Sequence, residues 1–180
     1  KIKMNLPIYL DNNATTPMDP RVLEAMLPYF NAKFGNAASR NHAFGWAAEE
    51  GVDYAREQVA KLIGANEKEI IFTSGATESN NLAIIGASQI YGSRKKKIVT
   101  TTIEHPSVSE PIKYLENNGF EVVRISPNRN GEIDFEDIIS AVDENTCLVS
   151  CMLVNNETGY ILPIKRAFMT IKRNFPECIT

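Results

Sequence analysis

Residues 97 to 125 read KIVTTTIEHPSVSEPIKYLENNGFEVVRI, and they decide the fold. Lys97 to Thr102 has the pattern of a strand, Pro106 to Asn117 that of a helix and Glu121 to Ile125 that of a second strand. Two strands joined through a helix of this length need a crossover connection, which makes them parallel neighbours in a sheet covered by helices. The same alternation extends both ways. Upstream, Ile70 to Thr73 reads as a buried strand and Asn80 to Tyr91 as a helix. Downstream, Asp134 to Val142 reads as a helix capped by Asp134, Cys147 to Val154 as a strand and Pro163 to Arg173 as a helix. The fold class is α/β, with a predominantly parallel sheet flanked by helices.

The first third of the chain is different. Ile8 to Asp11 is a short extended segment and Asn12 to Pro17 is turn chemistry. Asp19 followed by Pro20 predicts a helix start, with Val22, Leu23, Met26, Leu27 and Phe30 on one apolar face up to Phe30. Phe34-Gly35-Asn36 is a loop. A long helix is expected over His42 to Ile63, where Phe44, Ala47, Ala48, Val52, Ala55, Val59 and Leu62 form the core-facing stripe and Gly64 closes it.

Composition excludes several functions. With 180 residues, 43% of them hydrophobic, the chain is long enough to bury a core. Its net charge of −3 and pI near 5.5 give no basic footprint for nucleic acid, and the Arg94 to Lys97 run reads as a solvated turn. No stretch reaches the ~18 apolar residues of a membrane span, and Lys1 to Asn5 lacks the apolar core of a secretory signal, so the expected location is cytoplasmic. Cys147, Cys151 and Cys178 are odd in number and sit in or near apolar segments, which suits reduced, buried thiols. Neither of the two histidines, His42 and His105, has ligand spacing from a cysteine, and no metal is expected.

Three polar clusters sit where strand-like runs stop: Thr73-Ser74-Gly75-Ala76-Thr77, Glu104-His105-Pro106 and Asn155-Asn156-Glu157-Thr158-Gly159. In an open α/β sheet, ligands bind outside the carboxyl ends of the strands, so the three clusters can share one site. The first opens a helix, whose unpaired N–H groups and positive end suit a phosphate, with Gly75 allowing close approach and Ser74 and Thr77 adding hydroxyls. Ser74 and Thr77 are equally consistent with plain helix capping. His105 fits stacking on a planar ligand, proton transfer, or a structural histidine satisfied by nearby backbone. The Asn155 and Asn156 amides fit hydrogen bonding to a ligand or an ordinary turn closed by Gly159.

Taken together, Tyr9-Leu10-Asp11-Asn12-Asn13-Ala14-Thr15-Thr16-Pro17, Phe34-Gly35-Asn36, the run Phe72 to Asn81, Glu104-His105 and Val154-Asn155-Asn156-Glu157-Thr158-Gly159 resemble the cysteine desulfurases of iron–sulfur cluster assembly. The resemblance covers the chain in order, with Ala37 standing where the family usually has proline. It implies a homodimeric fold-type I pyridoxal phosphate (PLP) enzyme of the class V aminotransferase-like group. Such enzymes take sulfur from L-cysteine as a persulfide, release L-alanine, and pass the sulfur to an iron–sulfur scaffold or another acceptor protein. By the same resemblance, Ala76 and Thr77 bind the cofactor phosphate, His105 stacks on the ring and serves catalysis, and Asn156 lies near the ring hydroxyl and substrate.

The family's remaining machinery is an aspartate for the pyridine nitrogen, a glutamine, a Ser-x-His-Lys lysine that forms the Schiff base, and a mobile-loop cysteine. None of these is matched here, and Cys147, Cys151 and Cys178 do not match the context of the sulfur-receiving cysteine. The resemblance therefore implies the N-terminal portion of the large domain, inactive alone: residues 1–16 as an N-terminal segment and residues 17–180 as an incomplete PLP-binding domain whose aspartate-bearing strand begins at Cys178-Ile179-Thr180. A selenocysteine lyase, another PLP enzyme of the group and a non-catalytic dimerising fragment are the alternatives. A nucleotide-binding module is disfavoured, because no glycine-rich nucleotide motif follows a strand.

Overall fold

The computed structural model describes residues 7–180; the expectation placed on Lys1 to Asn5 lies outside them. Two compact units divide the chain, residues 1–72 and 73–180.

In the first unit, α1 spans Pro20–Asn31 and α2 spans Ala43–Ile63. The Asp19 carboxylate accepts from the Arg21 N–H at 2.8 Å, and Pro20 occupies the first helical position, where its missing N–H costs nothing. His42 caps α2 through Nδ1, which accepts from the Gly45 N–H at 3.2 Å. Gly64 ends α2 in the left-handed conformation at φ 71°. The expected core stripes are not covered in this chain. On α1 no residue is buried, and on α2 the buried residues are Gly45, Ala48 and Ala60, while Phe44 and Leu62 are exposed. The helical period identifies which face wants cover, but says nothing about where the cover comes from.

One expected strand is also corrected. Ile70 to Thr73 pairs with no strand among the described residues, and Ile71 and Phe72 are exposed. A short apolar run has the propensity for a strand, yet pairing needs a neighbour that the run itself does not name.

The second unit is a parallel sheet between two helical layers. Strands β1 (Lys97–Thr101), β2 (Glu121–Ile125) and β3 (Thr146–Ser150) lie in the order β2-β1-β3, with Val99 opposite Val123 on one side and Val149 on the other. On one face Ile98, Cys147 and Leu148 pack with Ile84 of α3 (Ala76–Tyr91) and with Val108, Ile112 and Leu115 of α4 (Pro106–Asn117). On the other, Val99 and Val149 pack with Ile138 of α5 (Phe135–Ser140) and with Ala167 and Ile171 of α6 (Ile164–Asn174). Ile98 and Val99 are both fully buried on opposite faces, as the two-residue period of a strand covered on both sides requires.

The register shifts at the start of β3. Cys147 and Leu148 fall in the same cluster, which breaks the strict alternation as a bulge does. The strand expected over Cys147 to Val154 thus ends at Ser150, and the helix expected over Asp134 to Val142 is confined to Phe135–Ser140 with Asp134 as its cap. Beyond α6 the chain returns to the sheet, where Ile179 bridges Leu148 in parallel; the Ile179 N–H donates to the Cys147 carbonyl at 3.0 Å. Among the described residues, no helix is long and apolar enough to cross a membrane.

Candidate active site

The three polar clusters all lie in the second unit, at the carboxyl end of its sheet or at the start of a helix. Gly75 caps α3 with an extended backbone, so Ala76 and Thr77 are the first two residues of the helix and their N–H groups fall outside its hydrogen-bond ladder. The Glu78 carboxylate turns back to accept from the Ser74 N–H at 2.7 Å and the Ser74 hydroxyl at 2.6 Å. Those two bonds hold its pKa below the usual carboxylate range. Ser74 is therefore committed to the turn, whereas the Thr77 side chain is exposed. A Cβ placed on Gly75 would meet nothing within 4 Å, so neither backbone conformation nor packing inside the chain demands glycine there, and the space over the helix start is open.

His105 caps α4. Its Nδ1 accepts from the Ser107 N–H at 3.1 Å and lies 2.9 Å from the Ser107 hydroxyl. One ring nitrogen is thus satisfied by neighbouring backbone, as the reading of a structural histidine expects, while the residue is exposed. Thr77 and His105 line one groove of about 600 Å³, together with Asn81, Ile85, Ser107 and Glu110 among others. Ala76 and Asn156 are not among its lining residues.

At the third cluster, the two asparagines separate. Asn155 is 6% exposed; its Oδ1 accepts from the Glu157 N–H, the Thr158 N–H and the Thr158 hydroxyl at 2.9 to 3.1 Å, and its amide donates to the Ile103 carbonyl at 3.2 Å. It builds the turn, which Gly159 closes at φ 73°. Asn156 is exposed, and its amide donates to the Glu157 carboxylate at 3.0 Å.

Sequence reasoning quoted Glu104 and Asn80 within its motifs but missed the bonds by which they tie these pieces together. Glu104 Oε1 accepts from the Thr101 hydroxyl at 2.7 Å and from the Met152 N–H at 2.9 Å, joining the ends of β1 and β3 beside His105. Burial pushes its pKa up against the pull of those two bonds. Asn80 donates to the Ser107 hydroxyl at 2.8 Å, joining α3 to α4. A serine two places after a capping histidine was the available local signal; nothing local points to Asn80 or Met152.

The three cysteines are free thiols. Burial pushes Cys151 up to about 12, with the Glu104 charge adding to the effect, and Cys178 up to about 11. Cys147 is also raised by burial. All three are held as thiols rather than as the nucleophilic thiolate.

An open helix start, an exposed imidazole and an exposed amide thus stand at the ends of the parallel strands or at the starts of the helices that follow, the region where open α/β sheets bind ligands. The chain belongs to the aminotransferase class-V family, which it matches over residues 8–179. It is 56% identical over 161 residues to the cysteine desulfurase IscS of Anaeromyxobacter sp. (strain K), a match taking in 89% of this chain and 40% of that protein. Among solved structures it is similar to a NifS-like protein, with a TM-score of 0.89 and 41% identity over 96% of this chain and 47% of that one. It is also similar to DndA from Streptomyces lividans, with a TM-score of 0.78 and 44% identity over 92% of this chain and 46% of that one. The chain thus spans about 40% of the length of the curated relatives it matches.

Proposed function

We propose that the full-length protein is a PLP-dependent cysteine desulfurase to which this chain, as part of the cofactor-binding domain, contributes phosphate and ring contacts. The observation that carries this reading is the groove at the head of α3 and α4, where Thr77 and His105 stand together.

The residues fit the cofactor. The space over Gly75 is open, the N–H groups of Ala76 and Thr77 lie at the positive end of α3, and the Thr77 hydroxyl adds a donor, so these residues would hold the phosphate. His105 would lie against the ring. Because Nδ1 is engaged by Ser107, the neutral imidazole carries its proton on Nε2, the atom from which a proton can be shared with the ligand. Asn156 would lie near the ring hydroxyl and substrate, its amide turning from the Glu157 carboxylate to reach them. When bound, PLP supplies an electron sink for the bonds at the substrate's Cα. In the overall reaction the substrate Cβ–Sγ bond breaks, a sulfur–sulfur bond forms on a receiving thiol, and the carbon regains a proton to give L-alanine. None of Cys147, Cys151 and Cys178 is assigned that reception, since all three are held as buried thiols.

A homodimer, a cytoplasmic setting and an iron–sulfur scaffold or other sulfur acceptor complete the proposal. The exposed apolar stripe of α1, with Leu27 and Phe30 uncovered, supports the first. The free thiols support the second, and likeness to cysteine desulfurases supports the third.

The test is to incubate the full-length protein with PLP, L-cysteine and a thiol reductant. Equal yields of L-alanine and sulfide are expected. Turnover of selenocysteine alone would instead make it a selenocysteine lyase, and no turnover of either would leave a non-catalytic dimerising protein. The 180-residue chain by itself should give no sulfide above free PLP.

A further inference from the structure

We propose that Ser107, itself held by Asn80, is the positioning residue for His105, fixing the imidazole's orientation and the nitrogen that carries its proton. The proposal rests on the reading of His105 as the residue that meets the cofactor ring, and it goes beyond that reading by assigning residues that do not touch the ring.

The geometry is a short relay across two helices. The Asn80 amide on α3 donates to the Ser107 hydroxyl at 2.8 Å, and that hydroxyl lies 2.9 Å from His105 Nδ1. The Ser107 backbone N–H reaches the same Nδ1 at 3.1 Å. A backbone N–H can only donate, so Nδ1 is an acceptor and the proton of the neutral ring sits on Nε2. With one hydroxyl lone pair taken by Asn80, the Ser107 proton is directed to Nδ1. Ser107 is 8% exposed, where a hydroxyl without its partners is costly, so the relay holds its shape whether or not a ligand is present.

His42, the chain's second and last histidine, is an internal control. It too caps a helix through Nδ1, but accepts from a single donor, the Gly45 N–H at 3.2 Å. At Nδ1 the two rings differ by the hydroxyl; His42 also has the Phe44 ring edge-on at 6.3 Å, so the Ser107 variants rather than His42 alone carry the comparison.

The experiment is 15N NMR of the imidazole nitrogens in the chain without cofactor, in alkaline buffer. Both histidines should show the Nε2–H tautomer, with the His105 Nδ1 resonance upfield of that of His42 because it receives a second donor. Ser107→Ala should remove most of that displacement, and Asn80→Ala should remove part of it. Ser107→Thr should keep the displacement while Ser107→Val, isosteric with the threonine variant, loses it, which separates the hydroxyl from packing if one variant is unstable. In the full-length enzyme, Ser107→Ala and Ser107→Val should lower kcat several-fold with KM for L-cysteine little changed, and Ser107→Thr should recover it. An unchanged His105 resonance in both Ser107→Ala and Ser107→Val would overturn the relay. If the resonances shift as expected but L-cysteine yields no L-alanine, the assigned reaction fails and the relay stands.

Discussion

Replacing Glu104 by alanine should cost far more stability than replacing it by glutamine. One carboxylate oxygen, Oε1, takes both the Thr101 hydroxyl at 2.7 Å and the Met152 N–H at 2.9 Å. Glu104→Ala removes both bonds and strands the Met152 N–H at the end of β3, while the Thr101 hydroxyl, on a residue 2% exposed, loses its acceptor. A bond to a charged acceptor contributes roughly 1.5 to 3 kcal/mol and a neutral one about 1, so the alanine variant should lose about 2 to 3 kcal/mol after solvent reaches part of the gap. Glutamine keeps an oxygen that can accept both bonds, and should stay within about 1 kcal/mol of the parent. The pH dependence follows from burial, which raises the Glu104 pKa in the folded chain. A raised folded value means that the native state binds the extra proton, so its contribution to stability is full below the unfolded carboxylate pKa and is lost as pH rises through the folded one. Glutamine has no such loss. Urea unfolding at about pH 4 and about pH 8 should therefore show Glu104→Gln gaining on the parent toward the higher pH. Should Glu104→Gln lose as much as Glu104→Ala at both pH values, the charge rather than the shared acceptor oxygen holds β1 to β3, and the argument fails.

Thr77→Val should reduce PLP affinity of the full-length enzyme by about tenfold or more with an apo melting temperature near the parent's, since a charge-assisted hydrogen bond is worth roughly 1.5 to 3 kcal/mol; a fall in apo stability with unchanged affinity would make Thr77 a helix cap only. Cys151, pushed up to about 12, should be alkylated by iodoacetamide far more slowly at neutral pH than a free cysteine, as read by mass spectrometry of peptides after quenching, and rapid labelling of the folded chain would contradict its thiol state. Gly92→Ala should destabilise by about 1 to 3 kcal/mol in urea, because the added Cβ would lie 2.9 Å from Phe120 Cε1 and closer still to the Ser88 carbonyl; a neutral result would show that the Phe120 ring and the last turn of α3 both give way at little cost.

The elements legible in the sequence are those whose two ends and cover all lie within the second unit. Pro106–Asn117 and Glu121–Ile125 form as read, because a proline at the helix start and a short turn between helix and strand fix both boundaries locally, and the sheet faces they pack on belong to the same chain. The stripe of α2 was read with the same rule and is largely exposed, as Leu62 at 84% shows. Ile70 to Phe72 fails for a related reason. Its apolar pattern describes a residue environment, and a strand exists only where a second backbone supplies the ladder.

The site divides along the same line, between what is local and what is brought together by the fold. The open head of α3, the capping position of His105 and the Asn155 to Gly159 turn are each set within a few residues, so their chemistry is visible in the order of the amino acids. The bonds that orient them are not. Asn80 reaches Ser107 across 27 residues, and Glu104 reaches Met152 across 48. The partner reached is an ordinary serine in one case and the backbone N–H of an apolar residue in the other, neither within a motif. Both links cross from one sheet-end or helix start to the next, so an error in the sheet order would misplace both partners at once. The order β2-β1-β3 puts β1 in the centre, and that is what allows Glu104, just beyond β1, to reach the end of β3 while its neighbour His105 faces α3 through Ser107. The sequence can therefore nominate His105, but the bond from Asn80 to Ser107 that fixes the hydroxyl beside its Nδ1 comes only with the packing of α3 against α4.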